Sequence, residues 1–241
     1  KQAYATGTVQ GNDFVGGLIG FQAGGTITQA YTTGTVQGNN FVGGLVGHAS
    51  FVIITQAYAT GAVQGNSAVG GLAGVVSQGG GTITQAYATG TVQGGSEVGG
   101  LVGYQLNGAI TQAYATGVVT GNSSVGGLIG RHGGSNTDSY FDRLTTGQSG
   151  DDGLATTDLQ AALQANFDPA VWGLLPGQSY PYLKWRFPQG PSVVSGTAID
   201  IPGGNDRLGV GQWYGAGEET DVVMRALGAG ARLEYAPAIV A

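Results

Sequence analysis

The sequence of 241 residues has no cysteine and very little charge. Without cysteine there are no disulfide staples, no thiolate zinc sites and no thiol catalysis. Charged side chains make up 9% of the chain, with 8 Lys and Arg against 14 Asp and Glu, a net charge of −6. That balance argues against a nucleic-acid partner, because neutralising phosphates needs clustered Lys and Arg. No apolar run reaches the roughly 18 residues that cross a bilayer, and no basic-then-apolar leader stands at the start. The chain opens at Lys1-Gln2 inside a repeating pattern, so it is expected to be a piece of a longer protein. Glycine, by contrast, is abundant at 49 residues, and the apolar fraction is 41%. High glycine with low charge can signal disorder, but strict periodicity argues for a folded, repetitive chain.

The segment Gln2-Ala3-Tyr4-Ala5-Thr6-Gly7-Thr8-Val9-Gln10-Gly11 returns nearly unchanged at Gln29, Gln56, Gln85 and Gln112, at spacings of 27, 27, 29 and 27. A second block, Val15-Gly-Gly-Leu-Ile-Gly20, recurs from Val42, Val69, Val98 and Val125. A third closes the unit around Ile27, Ile54, Ile83 and Ile110. Between the second and third blocks the chain varies, at 21–24, 48–52, 75–80 and 104–107, which marks a loop on one side of a stacked array. Several glycines per unit would cost a helix roughly 1 kcal/mol each, so three short strands broken by glycine turns are predicted instead. One unit cannot bury its apolar face alone; units stacked in parallel at about 4.8 Å can. The predicted fold is all-β, a parallel β-solenoid of about five 27-residue coils forming a rod roughly 24 Å long.

Stacking in register predicts three aliphatic core columns: Val9, Val36, Val63, Val92 and Val119; Leu18, Leu45, Leu72, Leu101 and Leu128; Ile27, Ile54, Ile83 and Ile110. The Gly-Gly pair before each Leu is expected to supply a sharp bend or a backbone approach that a Cβ would block. Strand alternation from Val9 puts Ala3 and Ala5 inside and the column of Tyr4, Tyr31, Tyr58, Tyr87 and Tyr114 outside, unless a bend near Ala3 reverses it. Asn12, Asn39, Asn66 and Asn122 form a further column, read as an amide ladder that Gly95 interrupts.

The block Val-Gly-Gly-Leu-(Ile/Val/Ala)-Gly, preceded by Tyr-(Ala/Thr)-Thr-Gly-x-Val-x-Gly, resembles the GLUG repeat over roughly residues 2–143. Ser139-Tyr140-Phe141-Asp142, Val171-Trp172-Gly173 and Tyr180-Pro181-Tyr182-Leu183 resemble the segment that ends such arrays. The resemblance implies an extended β-helical stalk in large secreted or surface-attached bacterial proteins, similar to filamentous-haemagglutinin-like adhesins and some immunoglobulin A peptidases. It implies no reaction.

Three zones follow: a solenoid over 1–140, a capping segment over 141–187, and a β-rich tail or the start of a further module over 188–241. In the capping segment, Thr157-Asp-Leu-Gln160 has the capping-box form and predicts a helix over 157–164. Phe167, Trp172, Tyr180, Tyr182 and Trp185 are expected to seal the open end of the solenoid. In the tail, strand-like runs are read at 192–201 and 230–235.

Candidate chemistry is sparse. Asn205 and Asp206 resemble part of a calcium-binding nonapeptide, but such sites draw ligands from successive turns and here there is one partial copy. Asp13 and Glu97 are the only formal charges between residues 2 and 130. Three coils separate them by roughly 14 Å, too far for a glycosidase pair, so both are read as solvated loop residues. His48 and His132 are placed in variable surface turns, and no His-Glu-x-x-His motif is present. Thr6-x-Thr8, Thr33-x-Thr35 and Thr89-x-Thr91 could form a flat hydroxyl–methyl array suited to ordering water.

The leading expectation is a non-enzymatic extracellular scaffold, without cofactor or metal, that associates with itself, other surface subunits, or a glycan or matrix ligand. A carbohydrate-active β-helix enzyme and an ice- or crystal-binding threonine face are the alternatives.

Overall fold

In the computed structural model, residues one repeat apart lie side by side on neighbouring strands. The structure describes residues 2–77, 81–191, 193–194 and 213–214. Val9 pairs with Val36, and the register continues through Val63, Val92 and Val119, parallel at every step. The same one-coil register joins Val15 to Val42, Val69, Val98 and Val125. It also joins Ile27 to Ile54, Ile83 and Ile110. The molecule is therefore an all-β parallel solenoid of about five coils. Each coil feeds three parallel sheets, represented in the first coil by Val9–Gln10, by Asp13–Gly16, and by the long Ile19–Thr28 continued as Ala30–Thr32.

The coil is pinched into two lobes. The Val9 and Val15 columns fill the smaller one. The Leu18 and Ile27 columns, with the alanines at Ala30, Ala57, Ala59, Ala86, Ala88, Ala113 and Ala115, fill the larger. Leu45, Leu72, Leu101, Val36, Ile54, Ile83 and Ile110 are fully buried, each contributing about 1.5–3 kcal/mol of transfer free energy. Val9 and Leu18, on the first coil, pack against the same clusters but are only partly buried. The waist between the lobes explains the Gly-Gly pair. A Cβ on Gly44, Gly71 or Gly100 would strike both the carbonyl of the next coil's glycine and the Cβ of Ala59, Ala88 or Ala115 across the waist. None of these glycines has a positive φ. The chain bends at each of these glycines, and the close approach is what leaves no room for a Cβ there.

Two further columns take the left-handed backbone although they are not glycine. One is Gln29, Gln56, Gln85, Gln112 and Asp138, with φ between 49° and 54°; it turns the chain two residues before each tyrosine of the Tyr31 column and its continuation at Tyr140. The turn shifts the strand's phase by one, since Ile27 and Ala30 both face the core; beyond it Ala57 and Ala59 point inward and the tyrosines away. The other is Phe14, Phe41, Ala68, Glu97 and Ser124, with φ between 49° and 56°. The left-handed well costs such residues roughly 1–2 kcal/mol, so the neighbouring coils must hold it in place.

The array ends because one column changes size. Phe141 follows Ala115 in register, and its ring lies over Gly127 and Gly153, where earlier coils place a methyl group against glycine. The next residue, the buried Asp142, organises the segment beyond. Its Oδ1 caps helix α1 (Arg143–Thr146) by accepting from the backbone N–H groups of Leu144 and Thr145, at 2.8 and 3.2 Å. Its Oδ2 accepts from the Thr156 and Tyr180 hydroxyls, both at 2.6 Å. Helix α2 spans Thr156–Ala161 rather than 157–164. Ala155 occupies its N-cap and has no polar side chain to cap it, and the Thr156 hydroxyl donates to Asp142.

The tyrosine column points outward but does not face solvent along its length. Tyr58, Tyr87 and Tyr114 are buried beneath Phe167, Trp172 and Leu183. The aromatic cluster therefore covers a side of the rod, and Phe141 closes its end. Trp172–Gly173 and Tyr182–Leu183 pair antiparallel within this cover. The Tyr114 hydroxyl donates to the Pro181 carbonyl at 2.6 Å, and Arg186 Nε donates to the Tyr58 hydroxyl at 3.1 Å. Only Tyr4, 62% exposed, lies open. In the tail, Val193–Val194 pairs antiparallel with Trp213–Tyr214; the rest of the expected strands at 192–201 and 230–235 lies outside the described residues.

These arrangements set two stability expectations for urea unfolding. Gly71→Ala should cost about 3 kcal/mol or more, whereas Gly7→Ala, with nothing within 4 Å of the added Cβ, should cost under about 0.5 kcal/mol. Asp142→Ala should cost about 3 kcal/mol, through the lost cap and two stranded hydroxyls, and Tyr180→Phe about 1 kcal/mol. Equal losses for the two glycine variants would contradict the waist.

Candidate functional surface

Most of each coil's surface repeats, and its polar groups bond to the coil beside them. Gln10 donates from its side-chain amide to Gln37 Oε1 at 2.8 Å, and Gln37 to Gln64 at 3.4 Å. Gln29 to Gln56 and Gln85 to Gln112 form a second ladder at 3.4 and 3.5 Å. The amide ladder expected of the asparagines falls to these glutamines instead. Asn39, Asn66, Gly95 and Asn122 are joined coil to coil through their backbones. Among the described residues no side-chain amide bond links successive asparagines of that column. Because the link is made by the main chain, Gly95 does not break it.

One strip departs from the repeat. It is made by the left-handed column Phe14, Phe41, Ala68, Glu97 and Ser124 beside the column Phe21, His48, Val75, Tyr104 and Arg131. The glycine that precedes each member of the second column packs against backbone of the left-handed residue in its own or the preceding coil, as Gly20 does on Phe14 and Gly47 on Phe14. That contact fixes the two columns side by side. In the first two coils the strip is aromatic. Phe14 stacks on Phe41 at 4.9 Å and on His48 at 5.8 Å, and Phe21 stands edge-on to both Phe14 and His48, at 6.0 and 5.2 Å. Farther along it is ionic: Arg131 Nη1 bonds Glu97 Oε1 at 3.0 Å, with the guanidinium 4.7 Å from the Tyr104 ring centroid. The Glu97 hydrogen bond holds the Arg131 guanidinium above its ordinary value.

The expected site residues are thereby placed. Asp13 and Glu97 lie in the strands Asp13–Gly16 and Ser96–Gly99, not in loops, three strand spacings apart in one sheet. Each is bonded: Asp13 to Asn40 at 2.7 Å, Glu97 to Arg131. His48 belongs to the strand Val46–Ala59 rather than a surface turn, half-buried against Phe14, Phe21 and Phe41. His132 is exposed at the end of Ile129–His132. The variable segments 21–24 and 48–52 also stay within paired strands. The threonines at 6, 8, 33, 35, 89 and 91 lie between strands rather than within one. Asn205 and Asp206 lie outside the described residues. Among the described residues no three His, Cys, Asp or Glu converge to hold a metal ion, and no helix is long and apolar enough to cross a membrane.

Comparison with known proteins agrees with this construction. The GLUG motif matches residues 65–93 and 94–120. The two coils over these residues are GLUG repeats. Among curated proteins none matches the chain. A crystal structure of a candidate immunoglobulin A1 protease from Bacteroides ovatus superposes with a TM-score of 0.55 at 22% identity, over 72% of this chain. The match spans 64% of the length of that protein. At this identity the likeness is one of fold.

The solenoid thus carries a repeated frame with a non-uniform outward strip. That strip was visible in the sequence, because the position after each Gly-Leu-x-Gly differs in every coil and the position before each Val-Gly-Gly repeats only once, at Phe14 and Phe41. Their adjacency was not, because it depends on the left-handed backbone of the first column and on the glycine packed against it. His48 gives the strip a pH signature. Its Nε2 shares a 2.6 Å hydrogen bond with Ser77 Oγ, and its Nδ1 is buried without a protein partner. Burial holds the imidazole below its ordinary value of 6.5. A lowered folded-state value means the unfolded chain binds the proton first, so stability is full above pH 6.5 and falls as acidification passes it. Thermal unfolding between about pH 7.5 and 5.5 should show that loss, and His48→Val should reduce it. An unchanged acid slope in the variant would contradict the assignment.

Proposed function

We propose that this chain is a non-enzymatic spacer rod within a larger secreted or surface-attached bacterial protein of the adhesin type. The GLUG β-helix is an extracellular-type structural scaffold, and the finer assignment rests on how its side chains are used. The observation that carries it is the division of the surface. Repeated columns bond coil to coil, the cap covers the tyrosine ladder, and variation falls on an outward strip and on the segment that follows it in each coil. Such a rod suits holding a face at a distance and presenting it to a matrix component, a glycan or a neighbouring subunit. The solved relative bears a protease name; in this chain the two carboxylates of the coil faces are bonded to an amide and a guanidinium and stand roughly 14 Å apart.

Antibody raised to the purified solenoid should label intact, unpermeabilised native cells or their culture medium. The purified chain should leave immunoglobulin A1 and a panel of polysaccharides uncleaved. Cleavage abolished by Asp13→Asn or Glu97→Gln would make the chain an enzyme, and labelling only after permeabilisation would refute the surface location.

A further inference from the structure

One outward face keeps the same chemistry from coil to coil. In the long parallel sheet, the residues on either side of the Ile27 column alternate with it and point away from the core. On one side stand Thr28, Thr55, Thr84, Thr111 and Thr137, a hydroxyl in every coil, joined in register. On the other stand Thr26, Ile53, Thr82, Ala109 and Ser135, with hydroxyls in alternate coils. A hydroxyl–methyl array is thus present within strands, unlike the threonines at 6 and 8. The face runs along the side of the rod, and each of its middle coils is flanked by another. Thr111 Oγ1 donates to Thr84 Oγ1 at 3.1 Å; among the described residues no other group bonds the hydroxyls of Thr28, Thr55, Thr82 or Thr137.

Threonine is a good strand former, but strand preference does not account for this column. The Phe21 to Arg131 column is also outward in the same sheet, and it changes in every coil. In the last coil Asn136 replaces the isoleucine of the core column, yet Ser135 and Thr137 beside it still carry hydroxyls. The array is also nearly untwisted. Tyr31, Tyr58, Tyr87 and Tyr114, three residues beyond these threonines, stack with planes within 9° of parallel, whereas neighbouring strands usually turn by about 20–25°. Its spacings are therefore about 4.8 Å along the rod and about 6.6 Å across it, the latter twice the rise per residue.

We propose that this threonine face binds ice. The short spacing lies close to the oxygen repeat of ice along its a axis, and the longer one close to that along its c axis. Threonine is stiff at χ1, so its methyl and hydroxyl groups are held in an ordered array before contact. Each hydroxyl both donates and accepts, as a lattice water does. The two columns carry no charge whose hydration would have to be stripped. The same composition suits a protein partner poorly, since interface hot spots are rich in Trp, Tyr and Arg and poor in Thr and Ser. The inference goes beyond the scaffold reading and does not rest on it.

The test is adsorption of the fluorescently amine-labelled chain to a single-crystal ice hemisphere, with thermal hysteresis read on the unlabelled protein. The labelled chain should coat the ice on defined planes, and the unlabelled chain should hold growing crystals faceted below their melting point. Thr84→Lys, in the middle of the face, should remove both effects, because an ammonium set against the lattice loses hydration without gaining a partner. Gln93→Lys adds the same charge on the exposed Gln10 column and should leave both unchanged. Matching melting curves verify that the variants fold, and Thr111→Lys takes the place of Thr84→Lys if that variant does not. Bare ice with the unaltered chain, coating that survives the threonine variant, or coating lost in Gln93→Lys would each overturn the proposal. Bare ice together with self-association that Thr84→Lys abolishes would overturn it in favour of a second copy on this face. None of those results touches the cell-labelling experiment on which the scaffold reading depends.

Discussion

The hydrogen-bond ladder between coils imposes a rise of about 4.8 Å, and every other feature of the rod has to live with that spacing. Tyrosine can: successive rings along Tyr4, Tyr31, Tyr58, Tyr87 and Tyr114 stack with centroids 4.8–5.2 Å apart and planes within 9° of parallel. Glutamine can, by passing an amide hydrogen from coil to coil. Valine, leucine and isoleucine can, by sitting directly on their copies. Charge cannot, because like charges stacked at this distance repel, and the coils carry almost none. Low charge, monotonous columns and abundant glycine are consequences of one ladder.

Because each coil is completed by the next, the structure needs a means of stopping. It stops by volume and by hydrogen bonding at adjacent residues. Phe141 enters the alanine column and occupies the waist that glycine had left narrow, while Asp142 gathers two backbone amides and two hydroxyls from the segment that follows. That segment then folds back along the rod and shields the tyrosine ladder. A polypeptide of low complexity is thereby bounded at one end and along one side by a short stretch of ordinary sequence.

Much of this was legible in the residues. Repeat spacing gave the solenoid and its register, and alternation gave the outward direction of the tyrosines. The pair Gly-Gly announced a constraint without saying which, since a bend and a close approach make the same demand on composition. What could not be read lies in contacts between distant segments. Nothing near Tyr87 says that Trp172 will cover it. The Thr157 capping box looked sound locally, yet the helix begins at Thr156, whose hydroxyl bonds the distant Asp142. Left-handed glutamines and phenylalanines were invisible, as neither residue type advertises that conformation. His48 was assigned to a turn for the same reason: an insertion that stays within the ladder looks, in sequence, like one that leaves it.

Function follows from the frame being constant and one strip being free to change. The central claim is that equivalent residues of successive repeats stand one ladder step apart, and the lack of native cysteine makes it directly measurable. Nitroxide labels on cysteines replacing Gln10 together with, in turn, Gln64, Gln93 and Thr120, all exposed, report distances by electron paramagnetic resonance. The account predicts separations that grow by about 4.8 Å per coil, to roughly 10, 14 and 19 Å. Distances that fail to increase in that order would contradict it.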